Sequence, residues 1–264
     1  MSEATLVERD GGLMTVTFSR PHRKNALNAD NWTDLEDILT EVEVDPEVRA
    51  LVFTGAEGDF SSGADLSPGE AQVGITGRPL QPMVHEMRQV GRVVARLARL
   101  PKPTLAAVDG VAVGVGLGVA LACDLIVATD RARFTEIFVR RGMALDGGTS
   151  WTLPRQIGMR RAKQMAFFGD PIDAQTALEW GLVNEVVAPE ELAATARLWG
   201  ERLAQGPTTA LSLIKTLLDE GQASGIEDAL EAEARAQHIA FTTQDLREGM
   251  GSFLERRDPK FTGT

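Results

Sequence analysis

The chain has 264 residues, of which 43% are hydrophobic and 25% are charged, as is usual for one large soluble domain or two small ones. Its net charge of −11 argues against nucleic-acid binding, although a local basic cluster can still hold a small anionic ligand. The single cysteine excludes an intrachain disulfide, and the sequence contains neither a signal-peptide pattern nor an apolar run near the ~20 residues of a membrane span, so we expect a cytoplasmic protein.

The first two thirds of the chain alternate between strand and helix patterns. A basic loop over residues 19–28 precedes a helix that ends near residue 44, and Asn28 or Asp30 can cap this helix. Residues 67–82 contain several glycines and prolines and predict a mobile loop, which is followed by an amphipathic helix over 83–100. Strands are predicted over residues 13–18, 50–54, 104–108 and 125–129, with a further candidate over 132–136.

The last third of the chain is almost entirely helical in pattern. A loop over residues 141–150 precedes it, and one short strand over 182–187 interrupts it. The helices are predicted near residues 158–168, 173–180, 189–204, 207–221, 225–241 and 243–256. The order of elements therefore predicts α/β layers followed by a helical C-terminal region.

A glycine-rich strand-to-helix junction is the most informative stretch of the sequence. Gly114, Gly116 and Gly118 open an apolar helical run, and glycine lets the backbone of a helix start approach an anion closely. A phosphate loop would need a lysine after the last glycine, and the G-x-G-x-G spacing fits a dinucleotide fold poorly. Two alternatives stay open at this point, which are close helix–strand packing without a ligand and an oxyanion that forms only during a reaction.

A second turn favours the oxyanion. The sequence FSSGADL at residues 60–66 also follows a predicted strand, so two backbone turns can each offer an N–H group. An enzyme that removes a proton next to a thioester carbonyl needs two such donors to stabilise the resulting enolate.

Several further motifs occur in order along the chain, and together with FSSGADL they resemble the enoyl-CoA hydratase/isomerase (crotonase) superfamily. They are PTLAAVDGVAVGVGLGVALACDLIVATDRARF, GMALDGGTSWTLPRQIG, GLVNEVV and REGMGSFLERRDPKF. The resemblance implies an α/β fold with a spiral of β-β-α turns over residues 1–195 and a helical oligomerisation region over 196–264. It also implies a coenzyme A thioester as substrate, no redox cofactor or metal, and a homotrimer or a hexamer.

The resemblance also assigns roles to individual residues. The oxyanion donors are the backbone N–H groups of Ala64 and Val115, and the motif accommodates valine because only its N–H group is used. The coenzyme A contacts are expected at Arg23, Lys24, Ala26, Asp65 and Leu66. For Arg23 and Lys24 a solvated turn without a ligand is an equally good interpretation.

Two departures from the family pattern bear on the reaction. Hydratases of this family use two glutamates around one water, and this sequence has Gly118 and Phe138 at those positions. One carboxylate remains in place, because Asp146 resembles the aspartate of members that move double bonds; alternatively it only caps the following turn. Glu136 is a second candidate on a predicted strand, although an ion pair with Arg140 or Arg141 is the favoured interpretation.

The motifs therefore predict an enoyl-CoA isomerase with Asp146 as its base. Two alternatives remain, which are a hydratase that uses a non-standard carboxylate and a non-catalytic protein that binds acyl-CoA. The identity of the acyl chain and the metabolic pathway stay open.

Overall fold

The fold is built on a six-stranded sheet. In this computed structural model, residues 1–67 and 83–264 are described, so most of the predicted loop over 67–82 lies outside the described residues. The sheet has the order β1-β2-β3-β4-β6-β9, in which only the β1–β2 pair is antiparallel. Its strands are β1 (Thr5–Asp10), β2 (Leu13–Phe18), β3 (Ala50–Gly55), β4 (Thr104–Val108), β6 (Leu125–Thr129) and β9 (Glu185–Val187).

A smaller three-stranded sheet has the order β5-β7-β8. Its strands are β5 (Val111–Val113), β7 (Arg133–Thr135) and β8 (Ile172–Asp173). The β5 strand follows β4 after a two-residue turn, and its last residue directly precedes the glycine junction. The glycine junction therefore continues directly from a strand of the small sheet.

Helices cover both faces of the large sheet. The described helices are α1 (Ala29–Val44), α2 (Met83–Ala98), α3 (Val115–Ala122), α4 (Thr149–Gln156), α5 (Met159–Phe168), α6 (Ala174–Trp180), α7 (Leu192–Ala204), α8 (Thr208–Gly221), α9 (Ile226–Ala240) and α10 (Gln244–Glu255). All five residues of β4 are buried, as expected for a central strand that is covered on both sides. One hydrophobic cluster includes residues of α1, α2 and α3, and a second joins α7 to the opposite face of the sheet.

The structure confirms the α/β class and the helical C-terminal region. The side chain of Asn28 accepts a hydrogen bond from the Asn31 backbone N–H, so Asn28 rather than Asp30 caps α1. The predicted division between residues 195 and 196 falls inside α7 and stays a prediction.

Three strands and one α-helix of the described chain were not predicted from the sequence. The edge strand β1 carries three charged residues, whereas β5 and β8 are too short to show a period. The helix α4 contains Pro154 and three residues of low helix propensity, which is why its first residues resemble a loop in sequence.

The described residues include no helix with the length and apolar content that a membrane span requires. The cytoplasmic location stays a prediction.

Candidate functional site

The first predicted oxyanion turn follows β3 and is fixed by backbone hydrogen bonds on both sides. The Leu27 N–H donates to the Gly63 carbonyl at 2.7 Å, and the Asp65 N–H donates to the Leu27 carbonyl at 2.9 Å. The Gly63 N–H donates to Ser61 Oγ at 3.2 Å. Within the described chain, the Ala64 N–H between these groups has no acceptor. The turn therefore leaves one N–H group available, at the predicted position.

The second turn places Val115 at the start of α3. Gly114 has a φ of +52°, which favours glycine, and its N–H donates to the Thr135 carbonyl of β7 at 2.9 Å. The first N–H groups of a helix lack acceptors in the helix itself, and Val115 is the first residue of α3. Among the described residues, no acceptor faces the Val115 N–H. This turn thus offers a second available donor.

The two turns are in direct contact. A Cβ atom on Gly63 would lie 2.9 Å from the Val113 carbonyl oxygen, and one on Gly116 would lie 2.6 Å from Ser61 Oγ. Ser61 also pairs with the end of β5, because the Val113 N–H donates to its carbonyl at 3.0 Å. The close approach needs glycine at both positions and brings together the turns that carry Ala64 and Val115.

A third turn carries Asp146 to the same place. The carbonyl of Asp146 accepts hydrogen bonds from Thr149 N at 3.3 Å and Thr149 Oγ1 at 3.0 Å, at the start of α4. A Cβ on Gly147 would lie 3.2 Å from the Val115 Cα. Asp146 is half-buried, and its Oδ1 accepts the Gly147 N–H at 2.7 Å. The aspartate therefore caps its own turn and also lies on the segment that touches the second oxyanion turn.

The absence of a side chain at Gly118 allows the turn that carries Asp146 to approach α3 closely. A Cβ atom on Gly118 would clash with the Gly147 carbonyl oxygen and would lie 3.0 Å from the Gly147 Cα. The backbone that follows Asp146 therefore occupies the space where a longer side chain at position 118 would begin. A glutamate at position 118 would therefore require the Gly147 backbone to move.

Phe138, at the other lost glutamate position, lines the second turn. It lies in the 3-10 helix Ile137–Arg141, and a Cβ on Gly114 would lie 3.5 Å from its Cζ. Trp151, on α4 after the Asp146 turn, is about half-exposed, and the guanidinium of Arg155 stacks on its ring at 4.3 Å.

The expected environment of Glu136 was wrong. It lies between β7 and the 3-10 helix rather than on a strand, and Arg140 pairs with Asp170 instead. Glu136 is 0% exposed, its Oε1 has no partner in the described chain, and its Oε2 lies 3.4 Å from Thr149 Oγ1. Burial raises the pKa of Glu136 to about 8, and the negative charge of Asp146 adds to the rise. A hydrogen bond from Thr149 to the ionised form acts in the opposite direction but is outweighed. Its place within an apolar stretch was the signal for burial.

The predicted coenzyme A residues are near the first turn. Arg23 and Lys24 are exposed, and Lys24 Nζ lies 3.2 Å from Asp59 Oδ2, so the alternative of a solvated turn is still compatible with their placement. Leu66 is exposed and Ala26 is buried.

Asp65 is engaged within the protein. Arg20 donates to Asp65 Oδ2 at 2.7 Å and to the Ala26 carbonyl at 2.7 Å. Burial acts to raise the pKa of Asp65, but hydrogen bonds from Ser67 and Arg20 outweigh it and hold the pKa below its ordinary value. Asp65 thus ties the basic loop to the first oxyanion turn.

Across the described part of the chain, no group of three histidine, cysteine, aspartate or glutamate side chains could hold a metal ion. Whether catalysis needs a cofactor is untested, and its absence stays a prediction.

Comparisons with known proteins consistently give one family. The family model for enoyl-CoA hydratase/isomerase matches residues 8–264. A 1,2-epoxyphenylacetyl-CoA isomerase of Escherichia coli is 38% identical over 263 residues and 100% of both chains. A short-chain-enoyl-CoA hydratase of Clostridium acetobutylicum is 36% identical over 96% of this chain and 95% of that protein.

Solved structures give the same result for the fold. The crystal structure of a putative enoyl-CoA hydratase from Streptomyces coelicolor superposes with a TM-score of 0.92 at 34% identity, covering 99% of this chain and 94% of that one. With a family match over nearly the whole chain and relatives of both reaction types, the protein belongs to the enoyl-CoA hydratase/isomerase family.

Proposed function

We propose that this protein shifts a double bond in an enoyl-CoA, with Asp146 as the base and the Ala64 and Val115 N–H groups as the oxyanion donors. The observation that carries the proposal is the contact between Gly147 and the start of α3. This contact supports the proposal because the residue next to Asp146 touches the second oxyanion turn, whereas positions 118 and 138 carry no carboxylate.

The chemistry needs only one base. The carboxylate of Asp146 takes a proton from a carbon of the acyl chain, and the electron pair of the broken C–H bond moves into the conjugated system. The negative charge on the thioester oxygen is stabilised by the two N–H donors, each of which typically contributes roughly 3 kcal/mol in such sites. Asp146 then returns the proton to a different carbon, so the double bond moves with no net addition or loss.

The relatives include proteins named as isomerases and proteins named as hydratases. The Escherichia coli relative is named an isomerase, and a relative in Streptococcus mutans, 32% identical over 254 residues, is named a trans-2-decenoyl-[acyl-carrier-protein] isomerase. The Clostridium acetobutylicum relative is named a hydratase, so hydration by a non-standard carboxylate is the alternative that the assay must separate. Binding of acyl-CoA without turnover is the other alternative.

The first test combines proton exchange with product analysis. The wild type and Asp146→Asn are incubated with 3-enoyl-CoA and 2-enoyl-CoA in deuterated water, and label and products are followed by mass spectrometry. We expect deuterium incorporation with a shifted double bond, reduced by at least roughly 10²-fold in the variant because the amide is not a base. A hydrated product would support a hydratase, and measurable binding without exchange would support a non-catalytic protein.

We further propose that the protein assembles as a homotrimer or a hexamer through its C-terminal helices. Large apolar side chains of α8, α9 and α10 are exposed in the single chain. They include Ile214, Leu218, Ile226, Leu230, Phe253 and Leu254.

A further inference from the structure

Glu136 is a buried carboxyl group that the proposed reaction does not yet use. The residue before it, Thr135, binds the Gly114 N–H through its carbonyl, so Glu136 directly follows the backbone that shapes the second oxyanion turn. Its side chain is fully buried, and Oε1 has no hydrogen-bond partner among the described residues. Because a buried charge without a partner is costly, the neutral acid is the form that this environment favours.

The hydroxyl of Thr149 supports the same protonation state. It has one proton to donate, and it lies 3.0 Å from the Asp146 carbonyl oxygen but 3.4 Å from Glu136 Oε2. When Glu136 is neutral, the shorter distance favours the Asp146 carbonyl as the acceptor of this proton, whereas the hydrogen bond from Thr149 to Glu136 Oε2 belongs to the ionised form. The hydroxyl oxygen can then accept a hydrogen bond from a protonated Glu136, whereas an ionised Glu136 would lose this arrangement.

The charges around Glu136 do not favour its ionised form. Asp146, on the turn before α4, is the charged group that acts on its pKa, and it raises that pKa. On the 3-10 helix, Arg140 is paired with Asp170, and on α5 the guanidinium of Arg161 stacks on the ring of Trp180. With a pKa of about 8, Glu136 is neutral in neutral solution.

We propose that Glu136, as a neutral acid, is a positioning residue that holds the Asp146 turn through Thr149, and that its ionisation releases this turn. The inference rests on the proposed isomerase reaction. The transferred proton passes only between the acyl chain and the Asp146 carboxylate, and the proton of Glu136 remains in the chain of hydrogen bonds from Glu136 to Thr149 and from Thr149 to the Asp146 carbonyl. The charge of an ionised Glu136 would also repel the Asp146 carboxylate.

The test compares pH profiles of kcat for the double-bond shift in the wild type, Glu136→Gln and Glu136→Ala, from about pH 6 to about pH 10. We expect the wild type to lose activity as the pH rises through about 8. Glu136→Gln, which donates to Thr149 but cannot ionise, should lose this alkaline decline. Glu136→Ala should lower kcat by roughly 30- to 100-fold with a smaller change in KM, and glutamine should restore most of that loss.

Two threonine variants test the hydrogen-bonded chain itself. Thr149→Val should lower kcat to the same extent as Glu136→Ala. Thr152→Val is the matched control, because Thr152 is buried on the same helix and its hydroxyl donates to the Gly148 carbonyl at 3.4 Å. Equal kcat values for the two threonine variants would overturn the proposal.

Thermal unfolding tests the neutral state of Glu136 without an activity assay. A pKa above the unfolded value of 4.5 stabilises the folded wild type fully below pH 4.5, and this contribution is lost as the pH rises towards 8. The Tm of the wild type minus that of Glu136→Gln should therefore fall between pH 5 and pH 9 by about 5 °C or more. A constant difference would mean that Glu136 is ionised throughout, against the proposal.

The outcomes separate this inference from the proposed function. A wild type that shifts no double bond, or an Asp146→Asn variant that still does, overturns the proposed function and with it the role of Glu136. A wild type that shifts the double bond while Glu136→Gln keeps the same alkaline decline overturns the role of Glu136 alone.

Discussion

At the scale of single residues, the two oxygens of Asp146 are in different situations. Oδ1 accepts the Gly147 N–H, whereas Oδ2 has no hydrogen-bond partner within the described chain. The capping role and the proposed catalytic role therefore use different atoms, and the two interpretations of this residue are compatible. A carboxylate held at one oxygen has less freedom to rotate, which favours proton transfer in a fixed direction.

Gly118 is the residue whose substitution tests this geometry. Gly118→Ala should lower the free energy of unfolding by about 1–3 kcal/mol, because its Cβ would clash with the Gly147 carbonyl oxygen. It should also lower kcat, since the clash displaces the Asp146 turn. Thermal unfolding and the double-bond shift assay measure the two effects.

Gly91 supplies the matched control for this substitution. It also lies within a helix, α2, but a Cβ there would meet nothing within 4 Å. Gly91→Ala should therefore raise the free energy of unfolding by up to about 1 kcal/mol through helix propensity. Equal stability of the two alanine variants would show that the contact between Gly118 and Gly147 is not tight.

At the scale of elements, the site is assembled from three connecting segments. They follow β3, follow β5 and precede α4. Because β3 and β4 are parallel, the loops at their carboxyl ends lie at the same edge of the sheet, where ligands bind in many α/β proteins. The positions of the two N–H donors therefore depend on the contacts that hold each loop against its neighbours.

The ion pair between Arg20 and Asp65 holds the first oxyanion turn against the basic loop. Both side chains are mostly buried, with 14% and 5% of their surface exposed. Arg20→Met should leave the Asp65 carboxylate without a cation and lower the free energy of unfolding by about 3–5 kcal/mol. Because the turn carries the Ala64 donor, kcat should fall as well. Urea unfolding and steady-state kinetics measure these effects.

A double-mutant cycle controls for the loss of the arginine itself. Adding Asp65→Asn to Arg20→Met removes the uncompensated charge and should recover part of the lost stability. Additive effects of the two substitutions would contradict a coupled pair.

At the scale of the whole molecule, the exposed apolar surface of the C-terminal helices is the feature that a single chain does not explain. Large apolar side chains exposed in this number favour association with another chain. Leu218→Lys combined with Phe253→Glu should shift the protein from trimer or hexamer towards monomer, because each substitution places a charge on that surface. Sedimentation velocity measures the change.

Val44 provides the control for this surface. It is 79% exposed at the end of α1, away from the C-terminal helices in sequence. Val44→Glu should leave the sedimentation coefficient unchanged. A wild type that sediments as a monomer would remove the proposed assembly altogether.

Much of the fold could be predicted from the sequence because its strong patterns are local. The apolar run of β4, the glycine junction and the long amphipathic helices are visible within short windows. The short strand β7 was a candidate, but the 3-10 helix after it shows no period, so only the apolar residues around Glu136 indicated its burial and its contacts could not be predicted.

The motifs also located the candidate site residues, but not their contacts. The resemblance implies that Gly118 and Phe138 replace two glutamates, yet the sequence cannot show that Gly118 touches Gly147, which is a long-range contact. The roles of Ala64, Val115 and Asp146 stay predictions until the variants are measured.

The contact between Gly118 and Gly147 has a consequence for protein engineering and for evolution. A glutamate introduced at position 118 alone meets the neighbouring backbone before it can reach a water molecule. A change of reaction type therefore requires a remodelled 143–148 segment in the same step. Libraries that place glutamates at positions 118 and 138 and vary this segment together should reach hydratase activity, whereas a glutamate at position 118 alone should not.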